Sequence, residues 1–372
     1  MIHRMIRIFY FPFILFLLII SLNVFAIIEF QDAVYPELGI SGRATAMGNA
    51  YQCKVDDASS VFYNPAGLGT ARKTHLHLSN LHLEVNKDWM RIATGGKLVD
   101  AAGDFFDGFS SDGMRKLLLK NKGKISHLRL QAMPNYTTRY FSVGYLFSQQ
   151  MRSTIGTEEN ALYEYSFRRD HGPYAALNLS LFGGIFKIGA SGILLSRNEY
   201  LTEVDPDVTF EADSESYNKG LGIIATAGSR LTLPIEFLPT FSAVIHNVGE
   251  QKFSGRAAGP PDTIKRTIDL GFSITPQIGK TIRIHLEGNY KDFTQEYSGV
   301  SITRRLVAGM ELDFARAFFM RLGYGDGFGS AGLGIKTQHL EFDLTTYAVD
   351  TTSSEFRGKE DRRFSMSLSY GF

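Results

Sequence analysis

Three groups of residues in this sequence have types and spacings that could do chemistry. His75, His77 and His82 open one segment, and His75 and His77 share a face, as two metal ligands would. No third ligand has matching parity along an extended segment, so the spacing falls short of a metal site. Gly327, Gly329 and Gly332 fit a dinucleotide fingerprint in letters. That fingerprint needs a helix to follow it, whereas here it lies between two alternating segments, the setting of a hairpin. Glu287, Glu311 and Asp313 could act as acid or base. They lie on alternating segments with no helical context, so solvated pore lining is the expectation. There is no Gly-x-Ser-x-Gly elbow. The residues therefore predict no enzyme, no cofactor and no metal.

The elements that must position these side chains are strands. Alternation of apolar with small or polar residues is cleanest at the end, where Phe364, Met366, Leu368, Tyr370 and Phe372 alternate with Ser365, Ser367, Ser369 and Gly371. Similar alternation recurs through the chain, as in Ile282, Ile284 and Leu286 against Arg283, His285 and Glu287. If the apolar face meets lipid, the charges point into a lumen. Strands are expected near 73–84, 125–136, 139–154, 160–182, 185–198, 216–230, 235–246, 264–274, 280–291, 302–312, 316–324, 329–336, 339–348 and 362–372. That makes about fourteen, an even number, which puts both ends on one side of a membrane with short turns there and long loops opposite. The count requires 160–182 to be one strand, although it contains His171-Gly172-Pro173, where proline needs a bulge or a rim position. The predicted fold class is all-β, a transmembrane antiparallel β-barrel.

Composition agrees. Residues 1–26 have a basic start and an apolar run from Ile8 to Ile20, which reads as a secretory signal peptide. Without Arg4 and Arg7, the 39 Lys+Arg fall to 37 against 38 Asp+Glu, so nothing points to nucleic acid. A mean hydropathy of -0.08 does not suit a helical membrane bundle, while 37 Gly and 13% aromatics suit a barrel. Cys53 is the single cysteine, which leaves no internal disulfide and no Cys-based metal site.

Between leader and first strand lies Gly42 to Gly69, small, Gly/Ala-rich and mildly helical. Asp56-Asp57-Ala58-Ser59-Ser60 looks like a helix start. Asn64-Pro65-Ala66-Gly67 stops that helix, because Asn before Pro is pushed out of the α region. A compact plug inside a barrel has this character. In the loop 85–124, Leu98, Phe105, Phe106 and Phe109 repeat at helical spacing, followed by Met114, Leu117 and Leu118. These apolar faces are either a landing site for a hydrophobic ligand or packing against the barrel rim.

The plug stretch resembles the N-terminal hatch of FadL-type outer-membrane transporters, and more closely that of their PorV/PorQ-like members. The resemblance rests on Gly42, Arg43, Ala44, Ala46, Met47, Gly48, Ala50, Asp56 to Ser59, Phe62 and Asn64 to Leu68. It covers under a tenth of the chain. It implies a hatch over 27–72 in a barrel over 73–372 with a helical outer loop near 96–120. It also implies an outer-membrane location, surrounding outer-membrane lipid, and a hydrophobic ligand such as a long-chain fatty acid that diffuses through passively. Asn64, Pro65, Ala66 and Gly67 carry over as the hatch motif. Phe372 carries over as the signal read by the barrel assembly machinery. The PorV-like members imply an alternative role, a scaffold or shuttle for exported proteins.

Overall fold

A strand with one apolar and one polar face cannot expose its backbone edge to lipid, and closing the sheet satisfies every ladder. The computed structural model shows that solution. It describes residue 34 and residues 38–372 apart from 72–73, 95–107, 213, 251, 258, 280, 298–299 and 351–359. The leader and the candidates Leu98, Phe105 and Phe106 lie outside the described residues.

Fourteen antiparallel strands close among the described residues. They are β1 (His75–Asn86), β2 (Ile125–Ala132, resumed at Asn135–Thr137), β3 (Phe141–Ile155), β4 (Tyr163–Leu181), β5 (Phe186–Val204), β6 (Asn218–Thr232) and β7 (Thr240–His246, resumed at Ser254–Ala257). There follow β8 (Thr267–Ile274, extended by Gln277–Ile278), β9 (Ile282–Tyr290), β10 (Leu306–Phe314), β11 (Phe318–Gly325), β12 (Phe328–Lys336), β13 (Leu340–Asp350) and β14 (Glu360–Gly371). Each pairs with its sequence neighbour, and β14 closes on β1 with Leu81 opposite Leu368 and Val85 opposite Phe364.

The segment 160–182 is one strand. On the β3 side Pro173 pairs with Tyr145, where no N–H is needed to hold the register. On the β5 side the ladder is open at Gly172 and Pro173 and resumes in the same register. The proline is tolerated because it faces outward and costs one local interruption rather than a slip.

A β-bulge between His77 and Ser79 overturns the parity argument made for the histidines. The extra residue flips the alternation, so His82 joins His75 and His77 on the inner face. His82 is engaged there by Ser367 (2.8 Å) and Glu84 (3.4 Å). No group of three His, Cys, Asp or Glu with metal-binding geometry occurs among the described residues.

Outside the wall, at its long-loop end, lies a second core. Strand β1 runs straight into helix α3 (Lys87–Ala93), capped by Asn86, whose Oδ1 accepts from Trp89 N at 2.8 Å. Helix α4 (Ser111–Leu119) is capped by Ser110. Trp89, Ile92, Met114, Leu117 and Leu118 pack against outward residues of the wall, among them Leu128, Met151, Tyr163 and Phe167. Met114, Leu117 and Leu118 of this loop are buried in that packing. Phe109 sits edge-on to Trp89 at 5.2 Å and stays 44% exposed. The expected helical stretch near 96–120 is thus α4 at its far end, while α3 precedes it in a part expected to be loop.

Candidate functional site

Residues 38–71 are irregular chain inside the barrel, so their backbone groups need partners that regular structure does not supply. Inward side chains of the wall provide them. Gln131 on β2 exchanges two bonds with the backbone of Ile40, at 2.9 and 2.8 Å. Ser191 on β5 donates to Val61 O (2.6 Å), Ser330 on β12 to Ala46 O (3.0 Å) and Thr345 on β13 to Gly42 O (2.9 Å). On β9, Glu287 accepts from Cys53 N at 2.8 Å. The plug is held from around the lumen rather than from one side.

Two local structures shape the plug. Helix α1 (Gly42–Ala46) ends at Met47, and Gly48 and Asn49 follow with positive φ. Helix α2 (Ser60–Tyr63) is started by Asp57, whose Oδ1 accepts from Ser59 N at 2.8 Å. Asn64 is extended (φ −164°), and residues Pro65–Thr70 form a 3₁₀ turn. The wall is hollowed where these two corners press on it. A Cβ on Gly323 would lie 2.2 Å from Gly48 N, and one on Gly325 would lie 2.3 Å from Gly48 O. On the opposite wall, a Cβ on Gly189 would lie 2.4 Å from Ala66 N, and one on Gly228 would lie 2.1 Å from Asn64 Oδ1. Glycine is required at these positions by close backbone approach.

The hatch-motif residues fall together at the second corner. Asn64 Nδ2 donates to Gln52 O (3.1 Å) in the plug and to Ser229 O (3.3 Å) in β6, and Asn64 Oδ1 accepts from Ala66 N at 3.1 Å. Gly67 lies against Val55. Phe62 packs edge-on against Tyr174 of β4 at 5.6 Å, beside inward apolar residues Leu146, Ile193 and Leu195.

The strongest contact was not singled out from the sequence. Arg43 of α1 presents its fork to Glu311 on β10, Nε to Oε2 at 2.7 Å and a terminal nitrogen to Oε1 at 2.8 Å. Its third nitrogen donates to Asp56 at 2.8 Å. Glu311 is fully buried and also accepts from Arg321 on β11 at 2.8 Å, with Lys54 at 3.7 Å. Arg321 in turn donates to Asp343 on β13. Burial opposes the charge on Arg43, but Glu311, Tyr51 and Asp56 together outweigh it and hold the guanidinium well above its usual value. Burial likewise opposes the charge on Asp56, which Arg43 and Lys54 hold below the usual carboxylate range. The signal was present: Arg43 lies in the hatch pattern, and Glu311 faces the lumen by alternation. Their pairing was not visible, because 268 residues separate them.

Among the described residues, cavities lie on both sides of the plug. One, toward the short-turn rim, has a volume of about 70 Å³ and is polar, with His77, Asp57, Arg321 and Lys336 on its walls. The other, toward the long loops, has about 90 Å³ and an apolar floor of Leu38 and Phe62 from the plug with Ile224 and Ile264 opposite. Its polar edge is self-neutralised: Asp269 accepts from Lys291 at 3.0 Å and faces His246 at 3.4 Å. Phe372 lies at the seam between β14 and β1, exchanging backbone bonds with Leu76 at 2.9 and 3.0 Å.

A closed barrel with an apolar outer face and a seated plug defines the class as a plugged transmembrane β-barrel. No protein-family model matches the chain, and no curated protein does. Solved structures do match. The deltaS2S3 mutant of TodX, a monoaromatic hydrocarbon channel, aligns with a TM-score of 0.52 over 90% of this chain and 99% of that one, at 9% identity. The monoaromatic hydrocarbon channel CymD aligns with a TM-score of 0.51 over 90% of this chain and 97% of that one, at 10% identity. At such identities the likeness is one of fold, and this chain shares theirs.

Proposed function

We propose that the protein is an outer-membrane channel for small hydrophobic molecules, with residues 38–71 as its hatch. The observation that carries this is the apolar-floored cavity on the long-loop side, which the plug itself bounds. A ligand held there is separated from the opposite side only by the plug. Passage then requires the plug to shift while the barrel stays closed.

The cavity bears on substrate size. An engineered apolar cavity of about 150 Å³ takes benzene, and the present space of about 90 Å³ is smaller. Compact hydrocarbons need a modest rearrangement; a long-chain fatty acid needs the plug displaced before its chain is housed. Two barrels that share this fold are monoaromatic hydrocarbon channels by name, which supports the compact class. Long-chain fatty acids remain the second substrate to be tried in the same assay.

The test is uptake by cells that lack their own channels of this kind. Labelled toluene and labelled oleate are supplied to cells with the wild type or with Asn64→Ala/Pro65→Ala, at equal surface abundance. Uptake that depends on the protein and changes in the variant supports the channel. Uptake of both compounds equal to that of cells without the protein would refute it and leave the scaffold role for exported proteins.

A further inference from the structure

The outward wall of β3 to β6 changes character at one height. On β4 the outward positions rise from the short-turn rim as Leu179, Leu177, Ala175 and Pro173, and Leu177 and Leu179 are among the most exposed apolar side chains. The stretch from Leu181 to His171, at about 3.3 Å per residue and a tilt of about 40°, climbs roughly 25 Å, the height of a barrel's apolar band. Arg169 stands one outward position above it. It belongs to a row of direct cross-strand neighbours: Gln149 faces Arg169, Arg169 faces Asn198, and Asn198 faces Lys219. Arg256 is opposite Lys219 in the ladder.

The cations of this row differ from those one residue away. Inside the wall, Arg168 is bonded to Glu199 at 2.8 Å and Arg197 to Asp170 at 2.7 and 2.9 Å. Outside, among the described residues, neither Arg169 nor Lys219 has a carboxylate within ion-pair distance. Arg169 donates to the neutral Gln149 at 3.1 and 2.9 Å and lies over the Phe167 ring at 5.4 Å. Just above the row stand Phe167, Tyr200 and Tyr217, packed ring to ring. These rings belong to the outer core described above, so the row lies directly beneath that core and above the apolar band.

We propose that this row binds the phosphate groups of a phosphorylated glycolipid in the leaflet on the long-loop side. A guanidinium and an ammonium at that depth, neither with a carboxylate partner, supply positive charge and remaining N–H donors for phosphate oxygens. Asn198 between them adds a neutral donor, and the apolar band below receives acyl chains. The inference rests on the proposed membrane location with the long loops outside, and not on what the channel carries.

The experiment uses the whole barrel in neutral detergent, titrated with diphosphorylated lipid A, dephosphorylated lipid A or inorganic phosphate and followed by native mass spectrometry. The wild type should bind the diphosphorylated lipid about 30-fold more tightly than Arg169→Gln/Lys219→Gln, since each cation near a lipid surface contributes about a factor of five. Arg169→Lys/Lys219→Arg, which keeps the charge, should stay near wild type. Equal binding by wild type and the Gln variant, equal binding of dephosphorylated lipid, or full competition by inorganic phosphate would each overturn the site. Failure of the wild type to insert into vesicles would overturn the membrane location and the site together. Normal insertion without phosphate preference would overturn the site alone.

Discussion

The plug is expected to be released by one isosteric change, Glu311→Gln. Glu311 is the fully buried acceptor between Arg43 of the plug and Arg321 of the wall, with Lys54 nearby. The amide keeps the shape and removes the charge, leaving three cations against the remaining Asp56 and Asp343. Breaking a buried pair by removing one partner costs about 3–5 kcal/mol. Because Asp56 still holds Arg43 and Asp343 still holds Arg321, the lower end applies, about 3 kcal/mol. The closed ladders of β10 and β11 do not depend on Glu311, so this loss falls on the seated plug. It raises the displaced population about 10²-fold.

The chain carries its own reporter. Cys53 is the single cysteine, fully buried, with its Sγ 3.0 Å from Ser242 Oγ of β7. Burial pushes its thiol well above the usual range, and only the thiolate reacts, so labelling in the seated state is doubly blocked. When opening is fast relative to labelling, the labelling rate follows the open population. Maleimide labelling of Glu311→Gln should therefore run about 10²-fold faster than wild type, with the heat-modifiable gel shift of the folded barrel unchanged. Labelling within twofold of wild type, at equal folded barrel, would refute the claim that the Arg43–Glu311 contact seats the plug.

The remaining predictions concern the wall, the seam and the outer helices. Gly323→Ala places a Cβ against Gly48 backbone, which cannot step aside, so it should also speed Cys53 labelling; Gly329→Ala, which meets nothing within 4 Å, should not. Phe372→Asp should lower the amount of folded barrel in the outer membrane without changing synthesis, as gel mobility of unboiled samples would show. Asp112 accepts from Lys116 (2.8 Å), from Phe210 N (3.1 Å) and from Arg115 (2.8 Å), and against the penalty of burial these, Lys116 foremost, hold its carboxyl at about 2. A lowered folded value means the stabilisation is complete above the ordinary value of about 3.9 and is lost as pH falls through about 2. Fluorescence of Trp89, the single tryptophan and part of the same outer core, should shift to the red over that window in wild type, and the step should be absent in Asp112→Asn.

Much of this fold was legible because one face of each strand must be apolar and a slip of one residue would bury the wrong set. That constraint reads directly as alternation, and it located the fourteen strands among the described residues, including β4 across Pro173. It failed at the first strand, where the bulge at His77–Ser79 inverts the parity and brings His82 inward. The letters do hint at it, since Leu76 and Leu78 are out of phase with Leu81 and Leu83. Inward apolar residues such as Leu146 and Leu195 also run against the pattern. They do so where the plug, not water, covers the wall.

The site was less legible because it consists of contacts between distant parts of the chain. Composition showed many glycines, but not that Gly189 and Gly228 form one hollow and Gly323 and Gly325 another. Alternation showed that Glu311 faces the lumen, but the expected partner was water, whereas the observed partners are Arg43, Arg321 and Lys54. That difference bears on the proposed channel. A lumen lined by solvated acids would be a water-filled pore, with a plug resting in it loosely. Here the inward charges are spent on one another and on the plug: Arg168 on Glu199, Arg197 on Asp170, Arg305 on Asp292 and Arg43 on Glu311. These pairs, among the described residues, do not draw ions inward as free charges would. What the lumen leaves open toward the long loops is an apolar-floored space. A passage for hydrophobic molecules needs that combination, a wall neutralised in place and one movable part held by contacts of a few kcal/mol.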